Sequence, residues 1–273
     1  MLSFLHNYLP SPVLLNLGFF SLRWYGVLIT IAIASAIAMM VRIGKKAGMK
    51  DDDIIDVSIA TTIGGIIGAR LYEILIIEPA YYFQNPLRML KIWEGGLAIH
   101  GGLIGGAIAL WLYCHYKGLS LIKMAASAVT GVALGQAIGR LGNWFNQELY
   151  GSPTILPWGI PIAPENRLPG YQDNSFYHPV FLYESLGCLL ISWLLWKLAK
   201  HYHFNFTQKA GLTMILSYLA LYSLLRFSLE FIKIDPTFML GRYRWPQLLS
   251  LLIFLVSVTI IYWKHCQQRS KPL

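Results

Sequence analysis

The residues best suited to chemistry sit in Gly139-Arg140-Leu141-Gly142-Asn143-Trp144-Phe145-Asn146-Gln147-Glu148-Leu149-Tyr150-Gly151, where a guanidinium, amides and a carboxylate follow an apolar, glycine-spaced stretch. Such groups are costly to desolvate and persist at a membrane boundary only with partners or a ligand. Helical periodicity puts Gln136, Arg140, Asn143 and Gln147 on one polar face. Glu148 just beyond is placed to neutralise Arg140 or another arginine. The chemistry this predicts is an electrostatic grip on an anion, because arginine's planar fork of donors fits phosphate or carboxylate.

Further clusters carry complementary groups. Gly95-Gly96-Leu97-Ala98-Ile99-His100-Gly101-Gly102 sets an imidazole among small residues that leave room for a bulky substrate, and an ordinary pKa of about 6.5 suits His100 to general-base work. His178-Pro179-Val180-Phe181-Leu182-Tyr183-Glu184 ends on a carboxylate that needs a positive partner. Arg226 and Glu230, four residues apart, can pair along a helix, and Lys233 extends their face. Arg23-Trp24-Tyr25-Gly26 and Arg70-Leu71-Tyr72-Glu73 add aromatic and ionic groups.

Taken one at a time, each has a plainer reading. Buried arginines pair with acids or snorkel, a lone histidine packs, and Trp24 and Tyr72 serve as interfacial anchors. Gathered at one depth, however, several arginines, a histidine and a few acids form a convergent site for an anionic, amphiphilic ligand. His201 and His203 have metal-like spacing but lack a third ligand, so no metal site is expected.

The elements that must hold these groups are membrane helices. The chain has 273 residues, 56% hydrophobic and only 13% charged, with mean hydropathy +0.51. Soluble domains carry roughly a quarter charged residues, so this is an integral membrane protein. Apolar segments lie at roughly 24–41, 54–77, 97–116, 121–141, 178–199, 212–232 and 246–263, an all-α bundle of about seven transmembrane helices in one polytopic membrane domain. The opening 20 residues lack a basic start and contain Pro10 and Pro12, which is not the layout of a cleaved signal and predicts a short interfacial or extracytoplasmic lead-in.

Lysine-rich loops around Lys45, Lys117, Lys123, Lys200 and Lys209, and a tail with Lys264, Arg269 and Lys271, mark the cytoplasmic face. The N-terminus is therefore expected outside and the C-terminus inside. The remaining basic residues, mostly arginine and including Arg70, Arg140, Arg226 and Arg244, fall in the outer half. Segments 78–96 and 149–177, the latter broken by prolines, are expected to form an extracytoplasmic cap. Glycines four apart at Gly64 and Gly68, Gly101 and Gly105, and Gly131, Gly135 and Gly139 predict close packing of the second, third and fourth helices.

A net charge of +9 raises nucleic acid as a partner, but no basic soluble domain or groove-reading helix appears, and membrane topology accounts for the excess. Cys114, Cys188 and Cys266 are too scattered for a disulfide framework or metal motif.

The thirteen-residue segment around Arg140, supported by the motifs at Arg23, His100, His178 and Arg226, resembles the prolipoprotein diacylglyceryl transferases of bacterial membranes over nearly the whole chain. The resemblance implies a seven-helix protein of the bacterial cytoplasmic (inner) membrane, with its site open to the outer leaflet. The implied reaction moves the diacylglyceryl group of phosphatidylglycerol to the lipobox cysteine of a prolipoprotein signal peptide, forming a thioether and releasing glycerol phosphate. Arg140 and Arg226 would grip the lipid phosphate, His100 or Tyr25 would assist the thiol, and Asn143, Asn146, Glu148 and Glu230 would orient them, with Arg70 and Tyr72 added on the substrate side.

Thiol chemistry is consistent with that residue set. Only a thiolate is a good nucleophile, so a base or a positive field must lie near it, and arginines can stabilise a departing phosphate ester in a water-poor place. No metal or organic cofactor is required. A non-enzymatic phospholipid or anion transporter remains the alternative, since arginines in membrane helices also line substrate paths. Lys233, in place of a more usual arginine, and Arg244-Trp245-Pro246-Gln247, in place of a small-residue turn, depart from the family's pattern; Trp144 in place of phenylalanine affects packing only.

Overall fold

The computed structural model describes residues 2–18 and 21–269. Met1, Phe19 and Phe20 of the lead-in and Lys271 of the basic tail therefore lie outside the described residues. The long helices are α2 (Trp24–Lys46), α3 (Asp51–Tyr72), α5 (Ile99–Lys117), α6 (Leu121–Phe145), α7 (Val180–His201), α8 (Gln208–Leu229) and α9 (Trp245–Arg269), with short α1 (Leu2–Asn7) and α4 (Pro79–Gln84) in the connecting chain. These match the seven expected segments. Six of them are long and apolar enough to cross a membrane.

The exception, α5, has 19 residues. Glycines, His100, His115 and Lys117 dilute its apolarity, although at 1.5 Å per residue it still reaches about 28 Å, close to the hydrocarbon thickness. Several helices outrun their apolar segments. The backbone ladder of α2 continues to Lys46 and that of α6 to Phe145, because polar side chains at a helix end cost nothing once they reach the headgroup region.

The chain divides into two compact units, one made of residues up to Met40 together with Ala128 onward, the other of Val41–Ser127. In the Val41–Ser127 unit, α3 and α5 run antiparallel in backbone contact. A Cβ placed on Gly68 would lie 2.4 Å from the Gly101 carbonyl oxygen and 2.8 Å from Gly105 Cα. Only glycine permits that approach, which is the packing the four-residue spacing predicts.

Beyond α3 the chain makes one π-helical turn (Glu73–Ile77), then α4 and two 3-10 turns (Pro86–Leu90 and Ile92–Glu94). Arg70, on the last turn of α3, gathers this segment. Its Nε donates to Met89 O at 3.0 Å, Nη1 to Gly95 O at 2.7 Å, Gly96 O at 2.8 Å and the Tyr82 hydroxyl at 3.1 Å, and Nη2 to the Arg88 and Lys91 carbonyls.

In the other unit, α6 packs on α2. Gly131 lies against the Ala36 backbone and Gly135 against Ala32. The expectation that the Gly131 series would join the same glycine stack as α3 and α5 is thus corrected: these glycines face α2, whose small residues offer the matching surface. Antiparallel α7 is tied to α6 by Ser185 Oγ donating to Ala137 O (2.7 Å) and Ser192 Oγ to Thr130 O (2.9 Å). Both members are displaced by two turns, so the same faces meet at each bond, and the hydroxyls find acceptors where lipid offers none.

The segment expected as a cap, 149–177, has its own core. Tyr150, Ile160, Ile162 and Tyr177 are buried with Phe181, and Trp144 and Leu5 pack against them. Strands β3 (Ile160–Pro161) and β4 (Phe176–Tyr177) pair antiparallel. The lead-in closes over it, with His6 stacked 3.6 Å from Phe176 and its Nδ1 3.1 Å from Gly159 O. Two further ribbons, β1 (Val13–Asn16) with β2 (Ser21–Arg23) and β5 (Met239–Leu240) with β6 (Tyr243–Arg244), lead into α2 and α9.

Candidate functional site

The unit containing α2 and α6–α9 carries the densest set of buried charges. Arg140 projects from α6 one turn beyond Ala137, and Glu184 precedes Ser185, so the serine bond that aligns α6 and α7 also sets these two side chains opposite each other. Arg140 Nη2 lies 2.9 Å from Glu184 Oε1. Tyr222, from α8, donates to the same oxygen at 3.0 Å and accepts a hydrogen bond from Arg140. One turn along, Tyr218 donates to Gln136 Oε1 at 3.0 Å. Glu184 is 2% exposed whereas the Arg140 side chain is 22% exposed, so the carboxylate is locked away while the guanidinium keeps an open edge.

A second pair continues along α8. Arg226 Nη2 lies 3.2 Å from Glu230 Oε2, and the Arg226 side chain is 21% exposed over a fully buried carboxylate. Both arginines therefore share one arrangement, a buried acid behind and an accessible fork in front. That geometry keeps a guanidinium charged in a poorly hydrated place and leaves donors for an incoming anion.

Between these pairs runs the end of the signature segment. Helix α6 stops at Phe145, and Gln147 turns left-handed at φ 55. Its side chain donates to Pro10 O at 2.8 Å and accepts from the Ala163 N–H at 2.7 Å. The expectation that Gln147 shares the Arg140 face is corrected, because helix termination rotates it into the cap. Gly151 then slips between His178 and Ile232, pairing by a β-bridge with Lys233, where a Cβ would meet the Ile232 carbonyl at 2.8 Å. This close approach fastens the α6 terminus to the α8 terminus and so relates the Arg140 and Arg226 regions.

Asn143 and Asn146 both donate to Glu148 Oε1, at 2.9 and 3.1 Å. The sequence places Glu148 to neutralise an arginine; in the structure it accepts from these amides, and the acid paired with Arg140 is Glu184. The reason is tertiary, since α7 delivers Glu184 directly across from Arg140 while Glu148 lies past the helix end and exposed. Arg140 Nη1 also reaches Asn143 Oδ1 at 3.5 Å. Tyr25 rests on Gly142, whose absent side chain would meet its ring at 2.7 Å, within electrostatic reach of Glu148 and Arg140.

The other unit holds Arg70, Tyr72 and His100. His100 is exposed on the first turn of α5, its ring centroid 5.9 Å from that of Tyr72. The flanking glycines were expected to make room for substrate. Two of them have other work: Gly96 lies under Arg70 and Tyr82, and Gly101 against Gly68 and Tyr72. Every donor of the Arg70 fork is engaged by carbonyls and the Tyr82 hydroxyl, so this arginine organises segment 78–96 and presents no spare fork to a phosphate.

Sequence reasoning missed Tyr218 and Tyr222, although Tyr218, Tyr222, Arg226 and Glu230 recur every fourth residue and so form a polar stripe on α8. Arg244, read in the sequence only as part of an unusual turn, donates from Nε to Glu230 Oε1 at 2.7 Å. Lys233, buried just past α8, pairs with Asp235 at 3.5 Å. Desolvation chiefly lowers its pKa, with the neighbouring Arg226 charge acting in the same direction.

A polytopic helical bundle whose arginines present open forks backed by buried acids defines a membrane protein with an arginine-lined polar site. The comparisons sharpen that class. Residues 12–263 match the model of the prolipoprotein diacylglyceryl transferase family, and the chain belongs to that family. It is 38% identical over 264 residues to the phosphatidylglycerol–prolipoprotein diacylglyceryl transferase of Synechococcus elongatus, covering 96% of this chain and 90% of that protein. It is 37% identical over 263 residues to the same-named protein of Acaryochloris marina, covering 96% and 94%. It is 38% identical over 258 residues to transferase 2 of Streptomyces coelicolor, covering 93% and 80%.

Proposed function

We propose that this protein transfers the diacylglyceryl group of phosphatidylglycerol to the cysteine thiol of a prolipoprotein signal peptide. In this reading the cysteine sulfur attacks the glyceryl carbon that bears the phosphate ester. A C–S bond forms, the C–O bond breaks, glycerol phosphate leaves, and the thiol proton is taken up by a base. Arg140 and Arg226 hold the phosphate and stabilise the charge that grows on it as the ester departs.

The observation that carries the proposal is the repeated arrangement of an open guanidinium backed by a buried carboxylate, Arg140 on Glu184 and Arg226 on Glu230. It is supported by family membership and by the names of the relatives. Asn143, Asn146 and Glu148 form a fixed hydrogen-bonded set beside Arg140 that orients the lipid headgroup, and Tyr25 borders the substrate. His100 is proposed as the base for the thiol proton on the chemistry of its imidazole and on family membership alone. The site opens to the outer leaflet of a bacterial inner membrane, with the N-terminus outside and the C-terminus inside, as the lysine-rich loops favour.

The test is to incubate purified protein with phosphatidylglycerol vesicles and a peptide bearing a lipobox cysteine, and to weigh the peptide by mass spectrometry. A diacylglyceryl increment on the cysteine, lost with Arg140→Ala and absent from a Cys→Ser peptide, is the expected result. Lipid movement across the bilayer with no mass change would instead make this a transporter. Near wild-type thioether formation by His100→Gln would remove His100 as the base.

A further inference from the structure

We infer that Arg244 is a positioning residue that frees the Arg226 fork for the lipid phosphate by holding Glu230 from behind. The inference rests on the transferase reading given above and concerns how that site is kept competent.

The two oxygens of Glu230 are treated differently. Oε1 takes a hydrogen bond from Arg244 Nε at 2.7 Å. Oε2 lies 3.2 Å from Arg226 Nη2, yet among the described residues no group makes a well-formed hydrogen bond to it. Arg226 is thus attracted to Glu230 without being locked to it. A fully buried carboxylate must be neutralised by something, and the firm bond belongs to Arg244.

Arg244 is itself fixed. It closes the β5–β6 ribbon opposite Met239, its Nη2 donates to Asp235 O at 2.7 Å, and it lies 3.6 Å from Asp235 Oδ2. Asp235 in turn sits 3.5 Å from Lys233. Lys233 carries a point charge and engages Asp235, so the planar fork in this corner comes from Arg244.

Remove the Arg244 fork, and Glu230 is left with Arg226 as its nearest cation. The guanidinium then closes on Glu230, and donors meant for the lipid are consumed. The loss falls on lipid binding, and it is relieved when the Glu230 charge is removed as well. A purely structural Arg244 shows no such relief, because deleting a second buried polar group only adds damage.

The experiment measures peptide lipidation against phosphatidylglycerol concentration in mixed vesicles, with thermal unfolding of each purified variant alongside. Arg244→Gln is expected to raise KM for the lipid on the order of 10- to 100-fold, the range of one charge-assisted hydrogen bond. Glu230→Gln/Arg244→Gln is expected to recover at least part of that loss, and Arg244→Lys to fall between Gln and wild type. Unchanged lipid KM in folded Arg244→Gln, or a double variant no better than the single one, overturns the inference. Should Arg244→Gln not fold, Arg244→Lys decides: a KM raised several-fold supports the inference, and a wild-type KM rejects it. If the wild-type protein transfers nothing to the peptide, the transferase reading fails first and this inference falls with it.

Discussion

Replacing Glu184 with Gln tests how this membrane site keeps its cations ready. The substitution preserves shape and leaves a carbonyl to accept from Tyr222, which now bonds Oε1 at 3.0 Å, but it removes the charge 2.9 Å from Arg140 Nη2. Breaking a fully buried ion pair costs about 3–5 kcal/mol. Here the Arg140 side chain is 22% exposed and Gln can still accept a neutral hydrogen bond, so about 2–3 kcal/mol is expected. For a chain of this size that lowers Tm by about 5–10 °C. The uncompensated guanidinium then finds its counter-ion in the lipid phosphate. Thermal unfolding in nanodiscs should therefore show the variant gaining more from phosphatidylglycerol over phosphatidylcholine than the wild type does, while turnover falls because the fork is no longer held in place. A variant that melts within 1–2 °C of wild type, or whose Tm is indifferent to anionic lipid, would refute the view that Glu184 is the structural counter-ion of a phosphate-binding Arg140.

Three further outcomes are expected. Gly105→Ala drives a methyl to within 2.3 Å of the Gly64 carbonyl oxygen, so α3 and α5 must separate; loss of about 2 kcal/mol or more, read as reduced folded yield and a lower Tm, checks it, and wild-type stability would show that this helix pair tolerates separation. Arg70→Ala releases the carbonyls of residues 88–96, and hydrogen exchange should speed across 79–96 while α6 and α7 keep their protection. Burial lowers the His178 pKa below its ordinary 6.5, so protonation favours the unfolded chain. Its share of stability is whole above about pH 6.5 and is lost as pH falls through the lower folded value, and melts between pH 7.5 and 5.5 should flatten in His178→Gln.

Much of this was legible in the chain itself. Seven apolar runs became seven long helices because lipid leaves the backbone no partner but its own ladder, and the four-residue glycine spacing of Gly64, Gly68, Gly101 and Gly105 translated directly into a backbone-to-backbone pair. The Arg140 segment and the Arg226–Glu230 spacing pointed to charged groups that the structure finds in ion pairs with buried acids. Periodicity failed where a helix ended: Gln147 left the Arg140 face because two residues past Phe145 no longer follow helical geometry. The reading of open space beside His100 failed for Gly96 and Gly101, which proved to be sites of close contact.

Residue type and spacing, then, determined that this is a helical membrane protein with arginines and acids set in its helices, because the bilayer restricts backbone structure and isolated charges so severely that composition alone decides them. Apart from Arg226 with Glu230, whose four-residue spacing already indicates a pair, pairing was decided only by the tertiary structure. Glu184 rather than Glu148 faces Arg140, Tyr222 joins them from α8, and Arg244 reaches Glu230 across a ribbon. Those partners are far apart in the chain, and no local pattern encodes which helix face will lie opposite another until the packed serines, glycines and cap bring them within a few ångströms.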